Sequence, residues 1–530
     1  MLTTEIKNKV QVLWDRLWAG GHSNPITAIE QISYLLFMKR LEIFHPTIDD
    51  QYKWSVYKSM TDKELVVYIK ETVFEYIKFD LVNSDEPFSK AMKDAVFVIN
   101  KPSLLRDSMN FIDSIYEDID NEAKRNNQFF NDIQGDIYEH LLKHTSEAGK
   151  NGQFRTPRHI IHMMAEILDP DIDGKICDIA CGSGGFLIGA YQYILTKYSK
   201  EKVVDDDGLE KGIDGSLLSE EQLKLLRNNM FFGFDIDQTM VRIGVMNLMM
   251  HGITQPEIEN LDTLSSRYEE FEAAKLKIEI DFDDKNSVQN IELQGKYKYI
   301  LANPPFTGKI DDLGISANID RIYPPKHNAQ GVKQKQTVQS ELLFLERIIY
   351  MLEIGGKAAV IVPEGVLFNT GNAYKKIREI LMSDCDLEGV ISLPTGVFNP
   401  YTGVKTSILI FTKRLFKNGT EKFQNVNVWF YGMESDGYSL DSNRKRLKNR
   451  PLREVIDHWR DRDNLEVSDR KKQFFKIPYN EIKANDFELN FNLYKEFVYE
   501  QPVFDSSINI LEKIERIEKE ISEGLKELRS

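Results

Sequence analysis

Apolar positions near the amino end recur at helical spacing, with Ile6, Val10, Leu13 and Leu17 in one run and Ile29, Ile32, Leu36 and Ile43 in a second. Such a stripe is one face of a helix. Asn24-Pro25 marks a helix start between the two runs. Residues 1–126 are therefore expected to form a helical domain. From 127 to 414 the pattern changes, and short apolar runs alternate with helical stretches. Lys175 to Ala190 reads as a short buried strand, a glycine turn and an apolar helix; Phe231–Asp237 and Tyr297–Ala302 read as further strands. Lys357–Val362 and Gly389–Ser392 are apolar and β-rich, and Ser407–Thr412 is expected to pair at the far edge. Strand–helix alternation predicts an α/β fold with a Rossmann-like, doubly wound, mostly parallel sheet, its ligand crevice at the carboxyl ends of the strands. Residues 415–504 form a mixed, polar extension. In 505–530 the pattern is helical again, and Ile510, Ile514, Ile517 and Ile521 trace a heptad seam. That helix either lies on its own domain or docks on a partner helix; β-branched residues on a charged, terminal helix favour docking.

Chemistry concentrates where the strands end. Asn303-Pro304-Pro305-Phe306 follows the third apolar run. A planar amino nitrogen has its lone pair delocalised and is a poor nucleophile. The Asn303 side-chain oxygen and a backbone carbonyl of the proline pair could accept from its two N–H groups and localise that pair. The prolines stiffen the loop and remove donors, and Phe306 is expected against the ring face. Upstream, Asp178 precedes the turn Gly182-Ser183-Gly184-Gly185, where the backbone can pass close to a ligand. A carboxylate there suits a cationic group, such as the ammonium of a methionine moiety. Asp235, near the end of the second strand, suits ribose hydroxyls, and Asp262 is placed to accept from an adenine amino group. Asp178 and Asp235 are 57 residues apart, against about 20 in a simple nucleotide-binding unit. The polar stretch Ser199–Glu221 accounts for the excess as a surface insertion.

This order of glycine turn, ribose acid, adenine acid and Asn-Pro-Pro-Phe resembles the S-adenosylmethionine-dependent amino-methyltransferases. Gly152-Gln153-Phe154-Arg155-Thr156-Pro157 is similar to the segment preceding the glycine motif in modification subunits of type I restriction–modification systems. Leu393–Phe398, Thr402–Leu409, Asp436–Asp441 and the helical opening from Val12 to Leu41 resemble the same family. The resemblance implies N6-adenine methylation of DNA by a cytoplasmic enzyme, at a sequence chosen by a separate specificity subunit. Two copies of this chain would join one such partner, and a translocating restriction subunit can join them. The cofactor set it implies is Asp178, Gly182, Ser183, Gly184, Gly185, Asp235 and Asp262, with Gln153, Phe154, Arg155, Thr156, Pro157 and Arg158 folding over the cofactor. Two other classes are kept: a protein glutamine N5-methyltransferase, whose motif usually ends in Tyr, and a non-catalytic scaffold.

Composition narrows the picture. No apolar stretch approaches the length of about 18 residues that spans a membrane, and no signal peptide is visible. Three cysteines, Cys177, Cys181 and Cys385, lack metal-ligand spacing, and Cys177 and Cys181 read as packing residues. His159 and His162 read as ordinary helix surface with no completed metal set. Acids outnumber bases 83 to 68, for a net charge of −15, whereas a protein that grips DNA alone usually carries a basic patch. Bases cluster at Arg444, Lys445, Arg446, Lys448, Arg450 and Arg453, which reads as a solvated face. A second set, Lys309, Arg321, Lys326, Lys333 and Lys335, lies on the long loop after Phe306 and reads as a DNA-facing lid, without order until DNA closes over it. The acidic balance fits a catalytic subunit whose grip on DNA comes from a partner.

Overall fold

The computed structural model describes residues 4–44, 47–81, 86–126, 137, 140–141, 156–212, 214–279, 294–306, 308–311, 314–324, 326–330, 333–414, 427–465, 469–497 and 507–527. At the amino end, helices α1 (Thr4–Ala19), α2 (Pro25–Phe44) and α3 (Pro102–Asn126) pack with shorter helices between them. Ile6, Val10, Leu13 and Leu17 line the buried stripe of α1, as their spacing requires. Asn24 Oδ1 accepts from Ile26 N (3.0 Å) and Thr27 N (3.4 Å), which caps α2 at Pro25. Ile29, Ile32 and Leu36 are buried, but Ile43 is 44% exposed. It continues the spacing on the last turn of α2, past the surface its neighbours cover.

Among the described residues the main sheet has nine strands. They are β1 (Ile176–Asp178), β2 (Phe231–Asp235), β3 (Glu257–Asn260), β4 (Tyr297–Ala302), β5 (Leu352–Pro363), β6 (Cys385–Ser392), β7 (Thr406–Lys413), β8 (Asn427–Gly432) and β9 (Phe474–Pro478). Their spatial order is β9-β8-β6-β7-β5-β4-β1-β2-β3. Neighbours from β5 through β4, β1 and β2 to β3 are parallel, whereas β7 runs antiparallel to both β5 and β6, and β9 antiparallel to β8. The sheet is buried on both faces, so its strands read as near-continuous apolar runs. Alternate residues enter two cores: Ile408, Ile410, Trp429 and Tyr431 join one, and Leu409, Phe411, Val428 and Phe430 the other. On the first face lie α4 (Arg158–Leu168), α5 (Gly185–Lys197) and α6 (Gln238–Met250); on the second lie α7 (Arg267–Leu276), α8 (Ser340–Met351) and α9 (Asn372–Asp384); α10 (Pro451–Arg460) returns to the first. The amino-terminal helices continue the first core and grip α6 through Arg242 Nε to Glu30 Oε1 (2.8 Å) and Arg40 Nη1 to Met250 O (3.3 Å).

Three expectations are corrected. Ser407–Thr412 is not at an edge, because the segment after residue 415 contributes β8 and β9 and places β7 inside the sheet. The loop after Phe306 carries order in its described part: Lys309–Asp311 pairs with Thr337–Gln339, and Lys326–His327 with Lys333–Gln334. Arg321 is not held for a phosphate, since Nε donates to Glu346 Oε1 (2.8 Å) and Nη1 to Asp384 Oδ2 (2.7 Å). The Ser199–Glu221 insertion does form a small hairpin, Val203–Val204 against Glu210–Lys211. The terminal helix α11 (Ser507–Glu527) exposes Ile510, Ile514, Ile517 and Ile521 by 46–57%.

An interior β7 has a measurable consequence. Ile408 is fully buried, so Ile408→Ala should cost about 2–5 kcal/mol in denaturant unfolding. A loss below about 1 kcal/mol would return β7 to an edge.

Candidate active site

The carboxyl ends of β1, β2, β3 and β4 meet on one edge and are stitched together by hydrogen bonds. The glycine turn rests on the end of β2: Cys181 N donates to Phe234 O (2.9 Å) and Gly182 N to Asp235 Oδ2 (2.9 Å). Gly182 (φ 50°) and Gly184 (φ 79°) adopt the left-handed conformation that glycine permits. A Cβ on Gly182 would meet nothing within 4 Å, so that side of the turn is open, whereas one on Gly184 would lie 2.3 Å from Leu248 of α6. From α6, Asn247 Nδ2 donates to Ser183 O (2.8 Å) and fixes the turn from below. Gly185 begins α5, so the turn lies against that helix's positive end.

β3 is tied to the same point. Leu261 N and Asn260 Nδ2 donate to Asp235 O at 3.0 and 3.1 Å, and Thr263 Oγ1 donates to Ile179 O (3.3 Å), just past Asp178. Asp262 is exposed, and its Oδ1 accepts from Leu264 N (2.9 Å) in a tight turn. Asp237 is the cap of α6, with Oδ1 accepting from Thr239 N (2.8 Å), which leaves Asp235 as the acid facing the turn. Between them Ile236 is 76% exposed, an apolar lip that composition alone did not mark. Alternation puts Ile236 on the face of the buried Phe232 and Phe234, so its exposure follows from the strand ending at Asp235, a boundary that residue pattern did not mark.

Asp178 is buried and Asp235 half-buried, and the charge of the second reaches the first. Burial pushes the Asp178 carboxyl up to about 8, helped by the Asp235 charge and opposed by the hydrogen bond from Ala180 N. Burial also raises Asp235, against the N–H groups of Asp237 and Gly182. Two carboxylates held this way favour a cationic ligand, and the open glycine turn beside them gives it backbone to lie on. These residues fit a nucleoside carrying an amino-acid chain. Cys177 and Cys181 are buried, and burial raises both thiols, consistent with packing.

At the end of β4, Asn303 Nδ2 donates to Thr156 Oγ1 (2.9 Å), while Asn303 Oδ1 is buried without a hydrogen-bond partner. Pro304 is buried and Pro305 exposed. Phe306 is buried and meets Phe398 edge-on, centroids 5.3 Å apart at 88°. Phe398 ends the Leu393–Phe398 motif, so the fold joins that motif to Asn303–Phe306 across some ninety residues of sequence. Thr156 and Pro157 precede α4; Arg158 Nη2 donates to Gln192 Oε1 of α5 (3.3 Å). Gln153, Phe154 and Arg155 lie outside the described residues.

His159 is not helix surface. It is buried, its Nε2 lies 2.9 Å from Asp436 Oδ2, and Tyr438 stacks on its ring at 4.4 Å. Arg444 also bonds Asp436, and Arg446 pairs with Asp207 of the insertion hairpin (3.2 Å), so part of the basic run is consumed in structure. Lys445, Lys448 and Arg450 are exposed. Among the described residues no group of His, Cys, Asp and Glu is arranged to hold a metal, and no helix is long and apolar enough to cross a membrane.

Comparison with known proteins follows the same lines. The model of the N-6 DNA Methylase family matches residues 129–501. The chain is 28% identical to the Type I restriction enzyme EcoEI methylase subunit of Escherichia coli, over 89% of this chain and 86% of that protein. It is 27% identical to the StySJI methylase subunit of Salmonella typhimurium strain LT2, over 82% and 72%. The crystal structure of a type I restriction-modification system methyltransferase subunit from Streptococcus thermophilus superposes with a TM-score of 0.59 at 18% identity, covering 93% of this chain and 99% of that one, a likeness of fold.

A ligand that lays an ammonium against Asp178 needs the carboxylate ionised. Since its bound proton is held up to about 8, affinity for S-adenosylhomocysteine should rise by about ten-fold or more from about pH 6.5 to 8.5, with proton release on binding. Calorimetry in buffers of different ionisation enthalpy reads both. A flat affinity without proton release would remove Asp178 from that role.

Proposed function

The chain belongs to the N-6 DNA Methylase family, and we propose that it is the modification subunit of a type I restriction–modification complex, methylating N6 of an adenine turned out of the DNA duplex. Membership makes it an adenine-specific DNA methyltransferase. The observation that carries the finer reading is Asn303, whose Nδ2 is anchored on Thr156 while Oδ1 is buried and unpaired. A buried acceptor left unpaired costs about 1–3 kcal/mol, and the amino group of an adenine would satisfy it.

When bound, S-adenosylmethionine supplies a methyl group activated on a positively charged sulfur. Asp178 would hold the ammonium, Asp235 the ribose hydroxyls and Asp262 the adenine amino group, and the exposed Ile236 would offer an apolar surface to the adenine. Gly182 to Gly185 would let the backbone lie close, and the cover that the resemblance implies would come from Gln153 to Arg158. Asn303 Oδ1 and a carbonyl of the Pro304-Pro305 pair accept the two N–H bonds of the target nitrogen and draw its lone pair out of the ring. Phe306, braced by Phe398, walls the base. An adenine paired in a duplex cannot meet these acceptors, so it must leave the stack. A protein glutamine N5-methyltransferase is disfavoured by the DNA methylase match over residues 129–501 and by Phe306 in place of Tyr.

The assembly reading rests on charge and on α11. A net charge of −15 repels phosphate, so alone the chain should bind DNA weakly and without sequence preference. Sequence choice comes from a specificity subunit, with two copies of this chain to one of that partner, and a translocating restriction subunit can join them. Residues 1–126 and 505–530 serve subunit contacts, 127–414 carry methyl transfer and 415–504 extend them.

Asn303→Ala should lower methylation by at least about 100-fold while calorimetric affinity for S-adenosylhomocysteine stays unchanged. Near-normal turnover would reject the acceptor role. Deleting residues from Asp505 onward should weaken assembly with the specificity subunit in light scattering and leave cofactor affinity intact; full-strength assembly would assign α11 elsewhere.

A further inference from the structure

The loop after Phe306 is pinned to the cofactor side of the site. Ser316 N donates to Leu264 O (2.9 Å), and Ile315 forms a bridge with Ser265. Both partners belong to the turn that Asp262 opens, where Leu264 N donates to Asp262 Oδ1. Beneath them Ile319, Leu264, Val338 and Leu343 form a small apolar cluster. The pin has an ionic base: Glu269 Oε1 accepts from Ser316 Oγ (2.8 Å), Asn318 Nδ2 (3.1 Å) and Arg347 Nη1 (2.7 Å), and Glu269 and Arg347 are both fully buried. Arg347 lies over the rings of Tyr268 and Tyr350 at 4.9 and 5.1 Å. Apolar residues of the same volume would serve stability as well as a buried ion pair does. What Glu269 adds is direction, because its one oxygen fixes two side chains of the loop.

The far end of the same loop returns to the catalytic motif. Lys309–Asp311, three residues beyond Phe306, pairs with Thr337–Gln339, and Ser340 N donates to Gly308 O (2.9 Å). The described parts of this stretch therefore touch the Asp262 turn at Ile315–Ser316 and one another at Gly308–Asp311, just past the Asn303–Phe306 loop, with Lys309 and Lys326 exposed.

We infer that this stretch couples the two halves of the site: cofactor bound at Asp262 stabilises the docked Ile315–Ile319 segment and so sets the position of the loop that faces DNA, with Glu269 as its positioning residue. The inference rests on the cofactor reading above. Coupling is reciprocal, so whatever the cofactor adds to docking, docking returns in cofactor affinity.

Hydrogen exchange read by mass spectrometry on the full chain, with and without S-adenosylhomocysteine, tests it alongside calorimetry. In the native chain the ligand should slow exchange at Ile315–Ile319 by about five-fold or more. In a chain carrying Ser316→Ala and Asn318→Ala that difference should fall below about two-fold, and ligand affinity should drop by the factor lost in protection. A segment with only a structural role would exchange faster in the variant, with and without ligand alike, and affinity would hold; that result overturns the inference. Ligand binding to the native chain without any change at Ile315–Ile319 overturns it too, while leaving the cofactor reading intact. No binding by calorimetry would sink the cofactor reading and the inference together.

Discussion

The hydrogen bond from Asn303 Nδ2 to Thr156 Oγ1 decides which end of the amide is left without a partner. With the nitrogen engaged, the oxygen has nothing to accept from, and it lies buried at the carboxyl end of β4. β4 runs parallel between β1 and β5, so Asn303 leaves the sheet on the same edge as Asp178. The stitches from Gly182, Leu261 and Asn260 to Asp235 then close the edge into one rigid rim. A site built on strand ends with interlocked hydrogen bonds holds its geometry better than one on free loops.

Much of this was legible from residue pattern because the signals are local. A buried stripe every three to four residues gave α1 and most of α2, and the turn before α5 needs glycine at Gly182 and Gly184 whatever the rest of the chain does. What the pattern missed depends on partners far away in sequence. His159 is polar, yet it is buried because Asp436, 277 residues on, meets it. Arg321 looked available until Glu346 and Asp384 were placed beside it. The position of β7 was illegible for the same reason: an apolar strand buried on both faces reads alike at any interior place, and β8 and β9 lie in a stretch that reads as polar and mixed. Asn303–Phe306 was read correctly as a strand-end loop, but the packing of Phe306 on Phe398 needed the fold.

Electrostatics separates catalysis from grip. The rim is acidic, suited to a cationic cofactor, and the surface as a whole is negative. Two bases of the run assigned to solvent are engaged by acids instead, Arg444 by the buried Asp436 and Arg446 by Asp207 at the surface. Exposed cations remain at Lys309, three residues past Phe306, at Lys326, and at Lys445, Lys448 and Arg450. That distribution suits a subunit that touches DNA locally around the target base and leaves affinity and sequence choice to a partner.

The central claim is the identity of the methylated atom. Incubating the chain, co-purified with its neighbouring subunits, with DNA and S-adenosylmethionine labelled in the methyl group, then digesting the DNA to nucleosides, reads that atom directly. The account requires label in N6-methyldeoxyadenosine. Label in a methylated cytosine, or in protein with none in DNA, would contradict it.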